Sequence, residues 1–141
     1  MNLNNIAMER EVLIQEEYLD NPWEMLVCCI LLNQTNNKQV RPILGAVFDL
    51  IPDYQSAIDC PRESIAAVIK TTGFYNVKAG SIKRMSKKWP EFCDSRNSMK
   101  VTDLPGIGIY GKESWDIFVN NDLSIIPTDK KLRAYLESIN Q

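Results

Sequence analysis

The chain has 141 residues, the length of one domain with room for a buried core, and 45% hydrophobic with 24% charged residues is an ordinary globular composition. The net charge of −2 excludes a globally basic surface for nucleic acid, so any such surface has to be local. The chain has no histidine, which removes the commonest general base and the commonest metal ligand.

The four cysteines do not form a recognisable framework. Cys28 and Cys29 are adjacent and cannot easily staple two segments, and no C-x-x-C spacing occurs, so neither a disulfide scaffold nor a zinc site is indicated. We expect these two, Cys60 and Cys93 to be reduced and mostly buried. No secretion signal precedes the first helical pattern, and the longest apolar run is too short to span a membrane. We therefore expect a cytoplasmic, nucleoid or nuclear protein.

Helical patterns occupy the first third of the chain. A first helix surrounds Leu13 and ends near Leu19. A second begins at Asn21 as N-cap with Pro22 in the first helical position, and its interior is apolar all round, as in a core helix. A polar stretch, residues 33–39, ends that run. The apolar spacing from 40 to 48 then predicts a third helix that ends before the next proline.

The remaining elements are also predicted to be helical. One helix spans 61–72, with Gly73 as its stop, and another spans 76–89. A further helix covers 109–119, and the last covers 130–139, with Thr128 as its natural N-cap. No strand, repeat or low-complexity segment is indicated, so the predicted fold class is all-α with roughly seven or eight helices.

A glycine-rich hairpin, Leu-Pro-Gly-Ile-Gly at residues 104–108, joins two of these helices. Glycine accepts positive φ and lets another backbone approach, and amides at the next helix N-terminus can donate to a phosphate. A plain helix–helix turn is the alternative. Residues 70–89 contain six lysines and arginines and no acid, which favours contact with a DNA backbone, although several of these side chains equally fit a solvated face.

Four segments in this order resemble the helix-hairpin-helix DNA glycosylase superfamily, which includes endonuclease III. They are NPWEMLVCCILLNQTNNKQV, TTGFYNVKAGSI, LPGIGIYG and IPTDKKLRAYL. The likeness runs from about residue 15 to residue 136. It is strongest to the mismatch-specific thymine/uracil glycosylases, notably the glycosylase domain of methyl-CpG-binding proteins, which share PW, LN-x-T, GIG-x-YG and D-x-KL.

The resemblance implies a single domain over 1–141, folded as two helical lobes with a DNA-binding cleft between them. Residues 22–108 would form the central lobe with the hairpin at 104–108, and residues 1–21 and 109–141 the second lobe. Many members carry four cysteines after the catalytic segment for an iron–sulfur cluster. Here all four precede it, so we expect no cluster, no metal and no other cofactor. We expect a monomer whose partner is double-stranded DNA with a damaged or mismatched pyrimidine, and no membrane association.

The resemblance also assigns the chemistry to two residues. Asp129 stands at the position of the catalytic carboxylate, which stabilises the positive charge on the sugar and activates a water. A capping acid at a helix start is the alternative. Tyr110 stands where bifunctional members carry a lysine that attacks the sugar. Because a phenol cannot form a Schiff base, a monofunctional enzyme is expected.

The remaining site residues follow from the same resemblance. Gln15 and Ile14 would form the base pocket with Tyr110, since a glutamine offers a donor and an acceptor to a pyrimidine edge. Gln34 would be the intercalating wedge that fills the gap left by the flipped base. An exposed glutamine and a polar loop residue are the respective alternatives. The DNA-backbone contacts expected from the hairpin and its surroundings are Leu104, Gly106, Ile107, Gly108, Gly111, Lys112 and Lys78.

The predicted function is a monofunctional DNA glycosylase that removes uracil, thymine or a 5-substituted uracil, mispaired with guanine, and leaves an abasic site. Two alternatives stay open at this point. The scaffold could bind mismatched DNA without excision, or it could belong to an enzyme that acts on hypermodified thymine in viral DNA.

Overall fold

The computed structural model of the protein describes residues 11–95 and 98–140, and every regular element within those ranges is a helix. The all-α prediction is confirmed. The α-helices are α1 (Ile14–Glu17), α2 (Pro22–Leu32), α3 (Asn37–Val40), α4 (Leu44–Leu50), α5 (Tyr54–Asp59), α6 (Arg62–Val68), α7 (Tyr75–Asp94), α8 (Ile109–Phe118) and α9 (Lys130–Ile139). Short 3-10 turns occupy Arg41–Ile43, Lys70–Thr72 and Val101–Asp103.

Helix α2 is the central element of the core. The Asn21 side chain accepts a hydrogen bond from the Glu24 amide at 3.1 Å, and Pro22 occupies the first turn, as predicted. Residues 25–32 are all buried, and the helix packs against both α7 and α8. This helix therefore fixes where the turn after Leu32 lies relative to the hairpin before α8.

Helix α7 is longer than its sequence pattern indicated, because it continues through Pro90 to Asp94. A proline inside a helix loses one backbone hydrogen bond. Aromatic packing on the following turn favours continuation here: the Phe92 ring lies 5.7 Å from Trp89 and 5.3 Å from Trp115 on α8. The helix thus packs against α5 and α6, and its Ser81 lies next to Gly106 of the hairpin.

Apolar burial divides into a large and a small cluster. The large cluster surrounds α2, whereas the small cluster joins Leu13, Ile117, Leu132 and Leu136. Tyr110 packs against both clusters. The small cluster holds α9 against α8 and the segment before α1, which places the predicted catalytic segment beside Tyr110. The lobe boundaries predicted from the sequence stay a prediction.

Three local expectations were wrong in detail. The first helix is a single turn, α1, and the third is divided into α3, a 3-10 turn and α4. The cysteines are all free, but Cys93 is exposed and Cys60 is half-buried, so burial applies to the adjacent pair in α2. No helix in residues 11–95 and 98–140 is both long and apolar enough to cross a bilayer.

Candidate active site

A cavity of about 530 Å³ lies between the turn after α2 and the start of α9. One wall comes from residues 32–37, and the opposite wall comes from residues 128–131. Tyr110, in the first turn of α8, completes the lining. The cavity therefore unites three of the four segments that carry the sequence motifs.

Asp129 is the N-cap of α9 and lies on the cavity wall. Its Oδ2 accepts a hydrogen bond from the Leu132 amide at 2.9 Å. This corrects the sequence analysis, in which Thr128 was the cap. The capping interpretation of Asp129 and the catalytic one are therefore compatible, because a carboxylate has a second oxygen and the residue borders the cavity.

Glu113 on α8 holds the segment that precedes Asp129. Its Oε2 accepts a hydrogen bond from the Thr128 amide at 2.7 Å, and its Oε1 accepts one from the Thr128 hydroxyl at 3.1 Å. The Glu113 residue is 8% exposed. A buried carboxylate thus uses both of its oxygens on one residue, and that residue is adjacent to Asp129.

Tyr110 lies between the cavity and the buried side-chain amide of Gln15. The Gln15 Nε2 donates to the Tyr110 hydroxyl at 2.6 Å and to the Ser114 hydroxyl at 3.0 Å. The Gln15 Oε1 is buried and has no hydrogen-bond partner among the described residues. Burial raises the pKa of the Tyr110 phenol well above its usual range, and its hydrogen bond with Gln15 opposes that shift. The phenol is therefore protonated at neutral pH.

The expected base-pocket residues Ile14 and Gln15 are fully buried and lie outside the lining of the cavity. Their expected part in a base pocket stays a prediction, since neither residue lines the cavity directly. Both belong to the single-turn helix α1, which packs inward against α2 and α8. The Gln15 side chain is hydrogen-bonded to Tyr110, which does line the cavity. Of the three expected base-pocket residues, Tyr110 is therefore the one at the cavity surface.

The turn after α2 presents Gln34 to solvent. Its φ is +57°, a left-handed conformation that is uncommon for a residue other than glycine. Gln34 borders both the large cavity and a neighbouring one of about 150 Å³, whose lining includes Phe74 and Gly106. Phe74 has a φ of +47° and is 61% exposed. Gln34 and the exposed Phe74 therefore line the same small cavity, together with Gly106 of the hairpin.

The hairpin uses its glycines differently. Gly106 has a φ of +81°, and a Cβ there would lie 2.8 Å from the Cβ of Ser81 on α7. Gly108 has a φ of −103°, and a Cβ added to it would meet no atom within 4 Å. The conformation and packing therefore require glycine at Gly106 and leave open space at Gly108.

The other residues expected to contact the DNA backbone differ in their exposure to solvent. Leu104 and Ile107 are buried and anchor the hairpin, and a Cβ on Gly111 would lie 2.8 Å from Ile107 Cγ2. Helix α8 begins at Ile109 with Gly108 as its N-cap and has no side-chain cap, so the amides of its first turn lack helical acceptors. Lys112 is exposed and pairs with Asp116 at 2.6 Å, which raises the pKa of Lys112.

Lys78 has an interior position. Its Nζ donates to the carbonyls of Leu31 and Thr72, both at 2.8 Å, and burial lowers its pKa from 10.5 to about 8. This corrects the expectation of a lysine that faces a phosphate. Its ammonium instead joins the end of α2 to the 3-10 turn before Gly73.

Comparison with known families agrees with this arrangement. Residues 27–140 match the family model described as HhH-GPD superfamily base excision DNA repair protein. The chain belongs to this superfamily. The matched range contains the turn after α2, the hairpin and the Asp129 segment.

Two individual proteins with similar sequences are consistent with this family membership. The chain is 32% identical over 124 residues to the methyl-CpG-binding domain protein 4-like protein of Arabidopsis thaliana, covering 87% of this chain and 27% of that protein. It is 32% identical over 96 residues to a thymine/uracil-DNA glycosylase of Pyrobaculum aerophilum, covering 64% and 40% respectively. The chain thus spans under half the length of these relatives.

The HhH-GPD fold is also found in the solved structures that resemble this chain. A trapped endonuclease III–DNA covalent intermediate, an estranged-adenine complex, superposes with a TM-score of 0.64 at 19% identity. The match covers 84% of this chain and 66% of that one. At that identity the likeness concerns the fold.

Among residues 11–95 and 98–140, no group of three or more Cys, Asp or Glu side chains could hold a metal ion.

Sequence reasoning did not find two residues of the candidate site. Glu113 is an acid on the buried face of α8, which it shares with Trp115 and Ile117, and an acid on an otherwise uncharged face was the available signal. Phe74 lies within one of the four motif segments, but its left-handed backbone and its proximity to Gln34 depend on the folded chain.

Proposed function

We propose that the protein is a monofunctional DNA glycosylase that removes uracil, thymine or a 5-substituted uracil, mispaired with guanine. The observation that supports this most is the cavity that Asp129 and Tyr110 border together. The chain belongs to a superfamily of base excision repair proteins, and its relatives include thymine/uracil-DNA glycosylases.

Asp129 would supply the chemistry of hydrolysis. As the C1′–N1 bond breaks, positive charge develops on the sugar, and a nearby carboxylate stabilises it. The oxygen of a water bonds to C1′, and its two hydrogens end on the new sugar hydroxyl and on the departing base. The same carboxylate also stabilises the start of α9, because one of its oxygens accepts a hydrogen bond from the Leu132 amide.

Tyr110 and Gln15 would select a pyrimidine. Both hydrogens of the Gln15 amide are engaged by the Tyr110 and Ser114 hydroxyls, so its carbonyl oxygen is the free group. A buried acceptor of this kind matches the imide N–H of uracil or thymine. A base that enters the cavity would reach this oxygen when the Tyr110 ring moves aside.

Two surface features would bind the duplex. Gln34 and Phe74 project together beside the cavity, where an amide and an apolar ring can fill the gap and separate bases once the target has left the stack. The uncapped first turn of α8 would donate amides to a backbone phosphate.

The expected lack of strand cleavage depends on Tyr110. A Schiff base with the sugar requires an amine, and Tyr110 carries a phenol. Because burial raises the pKa of this phenol, it also stays protonated and is a poor nucleophile. Hydrolysis supported by the Asp129 carboxylate needs no such covalent step and leaves the strand intact.

The test is a panel of labelled duplexes with uracil, thymine, hydroxymethyluracil or cytosine opposite guanine and opposite adenine. Free base and strand breaks are scored before and after alkali. We expect base release from U·G or T·G and breaks only after alkali. Breaks before alkali would contradict the monofunctional assignment, and specific mismatch binding without any free base would favour a binding module.

A further inference from the structure

Glu113 joins the two walls of the candidate active site. It lies one helical turn after Tyr110 on α8, and its carboxylate accepts both hydrogen bonds that Thr128 donates across the loop. Thr128 and Asp129 are consecutive, and both border the cavity with Tyr110. The position of Asp129 relative to Tyr110 therefore depends on this contact.

We infer that Glu113 is a positioning residue for Asp129: its carboxylate holds the Thr128 backbone so that Asp129 faces the cavity while it caps α9. This inference rests on the proposed glycosylase function. Residues 120–126, which precede this segment, contain no regular element, so α8 and α9 are joined by an irregular loop. A carboxylate that binds both a backbone amide and a hydroxyl restricts that loop next to the reacting group.

The packing of α8 against α9 depends on apolar side chains and not on the Glu113 carboxylate. Ile117 on α8 packs with Leu132 and Leu136 on α9 in the small apolar cluster, and Leu13 completes it. These contacts keep the two helices together when the Glu113 carboxylate is removed. Loss of Glu113 should therefore leave a folded protein in which Asp129 is displaced from its catalytic position, and displacements of about 1 Å are enough to slow a reaction strongly.

The experiment measures two quantities for each variant. The single-turnover rate of base release is determined on the mispaired duplex from which wild type releases the base fastest. Affinity is determined on a duplex with a tetrahydrofuran abasic-site analogue opposite guanine. The variants are Glu113→Ala, Glu113→Gln and, as a matched surface control, Glu63→Ala, because Glu63 is exposed on α6. Thermal unfolding is recorded for all of them.

Glu113→Ala is expected to lower the rate by about 10- to 100-fold with less than about a threefold change in affinity. Glu113→Gln keeps an acceptor for the Thr128 amide and should recover much of the rate. The Glu63→Ala control should match wild type. A Glu113→Ala rate within about threefold of wild type overturns the inference, as does a loss that Glu113→Gln fails to recover at all.

If Glu113→Ala loses its cooperative thermal transition, Thr128→Val and Thr128→Ser decide the question. Valine removes the hydroxyl that donates to Glu113 and should lower the rate by about 3- to 10-fold, whereas serine should restore it. Equal rates for valine and wild type overturn the inference. Wild type that releases no base from any duplex overturns the proposed function instead, and the inference with it.

Discussion

The amide nitrogen of Gln15 lies 2.6 Å from the hydroxyl oxygen of Tyr110, although the two residues are 95 positions apart in the chain. This bond connects the segment before α2 with the first turn of α8. It also fixes the phenol at the surface of the cavity. The amide oxygen of Gln15 is left as a buried acceptor without a partner among the described residues.

Replacing Tyr110 should separate its two proposed roles. Tyr110→Phe removes the acceptor of one Gln15 hydrogen, so we expect a rate of base release reduced by about tenfold with no new strand breaks. Tyr110→Lys places an amine at the same point and should yield a covalent complex with DNA in the presence of borohydride. Electrophoresis of labelled duplex measures both, and strand cleavage by the wild type would contradict the assignment.

The two hairpin glycines should respond differently to alanine. Gly106→Ala forces a left-handed residue with a Cβ 2.8 Å from Ser81 and should cost about 1–3 kcal/mol of unfolding free energy. Gly108→Ala has room for its methyl group and should change stability by less than about 0.5 kcal/mol. Denaturant unfolding measures both. If a phosphate approaches Gly108, that variant should lose DNA affinity while it stays folded.

Lys78 should contribute to stability rather than to the salt dependence of DNA binding. Lys78→Met leaves the Leu31 and Thr72 carbonyls without their donor and should cost about 1–3 kcal/mol. Lys112→Met should instead weaken binding and reduce the slope of log affinity against log salt. A reduced slope for Lys78→Met, measured at equal folded fraction, would contradict this division.

The same lysine predicts a pH dependence. Its pKa in the folded chain is about 8, below the 10.5 of an exposed lysine, so the unfolded chain holds more protons between these values. The contribution of Lys78 to stability therefore rises with pH across that window. Unfolding of wild type and Lys78→Met at about pH 7.5 and about pH 10 should show this rise in wild type alone.

Cysteine reactivity should follow burial. Burial raises the pKa of Cys29 to about 12 and that of Cys28 well above its usual range, so both thiols are protonated and inaccessible near pH 8. Cys93 is exposed and should be alkylated fast by iodoacetamide, and Cys60 more slowly. Mass spectrometry of the folded protein should find at most two modified cysteines, and of the unfolded protein four.

Local signals in the sequence predicted the parts of the fold that depend on neighbours in the chain. The Asn21 cap, the Pro22 start and the apolar run of α2 are such signals, and each is present in the structure. The capping residue of α9 was misplaced by one position, because Thr128 and Asp129 are both good caps and the Thr128 hydroxyl is hydrogen-bonded to Glu113 instead.

Contacts between distant segments could not be predicted. The inward turn of Lys78 depends on a carbonyl 47 residues earlier, and the Glu113 contact spans 15 residues. The burial of Gln15 behind Tyr110 likewise needs the fold of α1 against α8. The resemblance placed Gln15 and Lys78 among the expected site residues but gave no sign of Glu113, and the tertiary packing decided which atoms each of them presents.

The assignment of the chemistry to Asp129 is tested most directly by Asp129→Asn. Asparagine is as good an N-cap as aspartate, so α9 should keep its first turn while the negative charge is lost. The measurement is free base released in a single turnover from a U·G duplex, with affinity for an abasic-site analogue as the control. We predict unchanged affinity and a release rate lowered by about 10²- to 10³-fold. A folded Asp129→Asn protein that releases base at the wild-type rate would contradict the account.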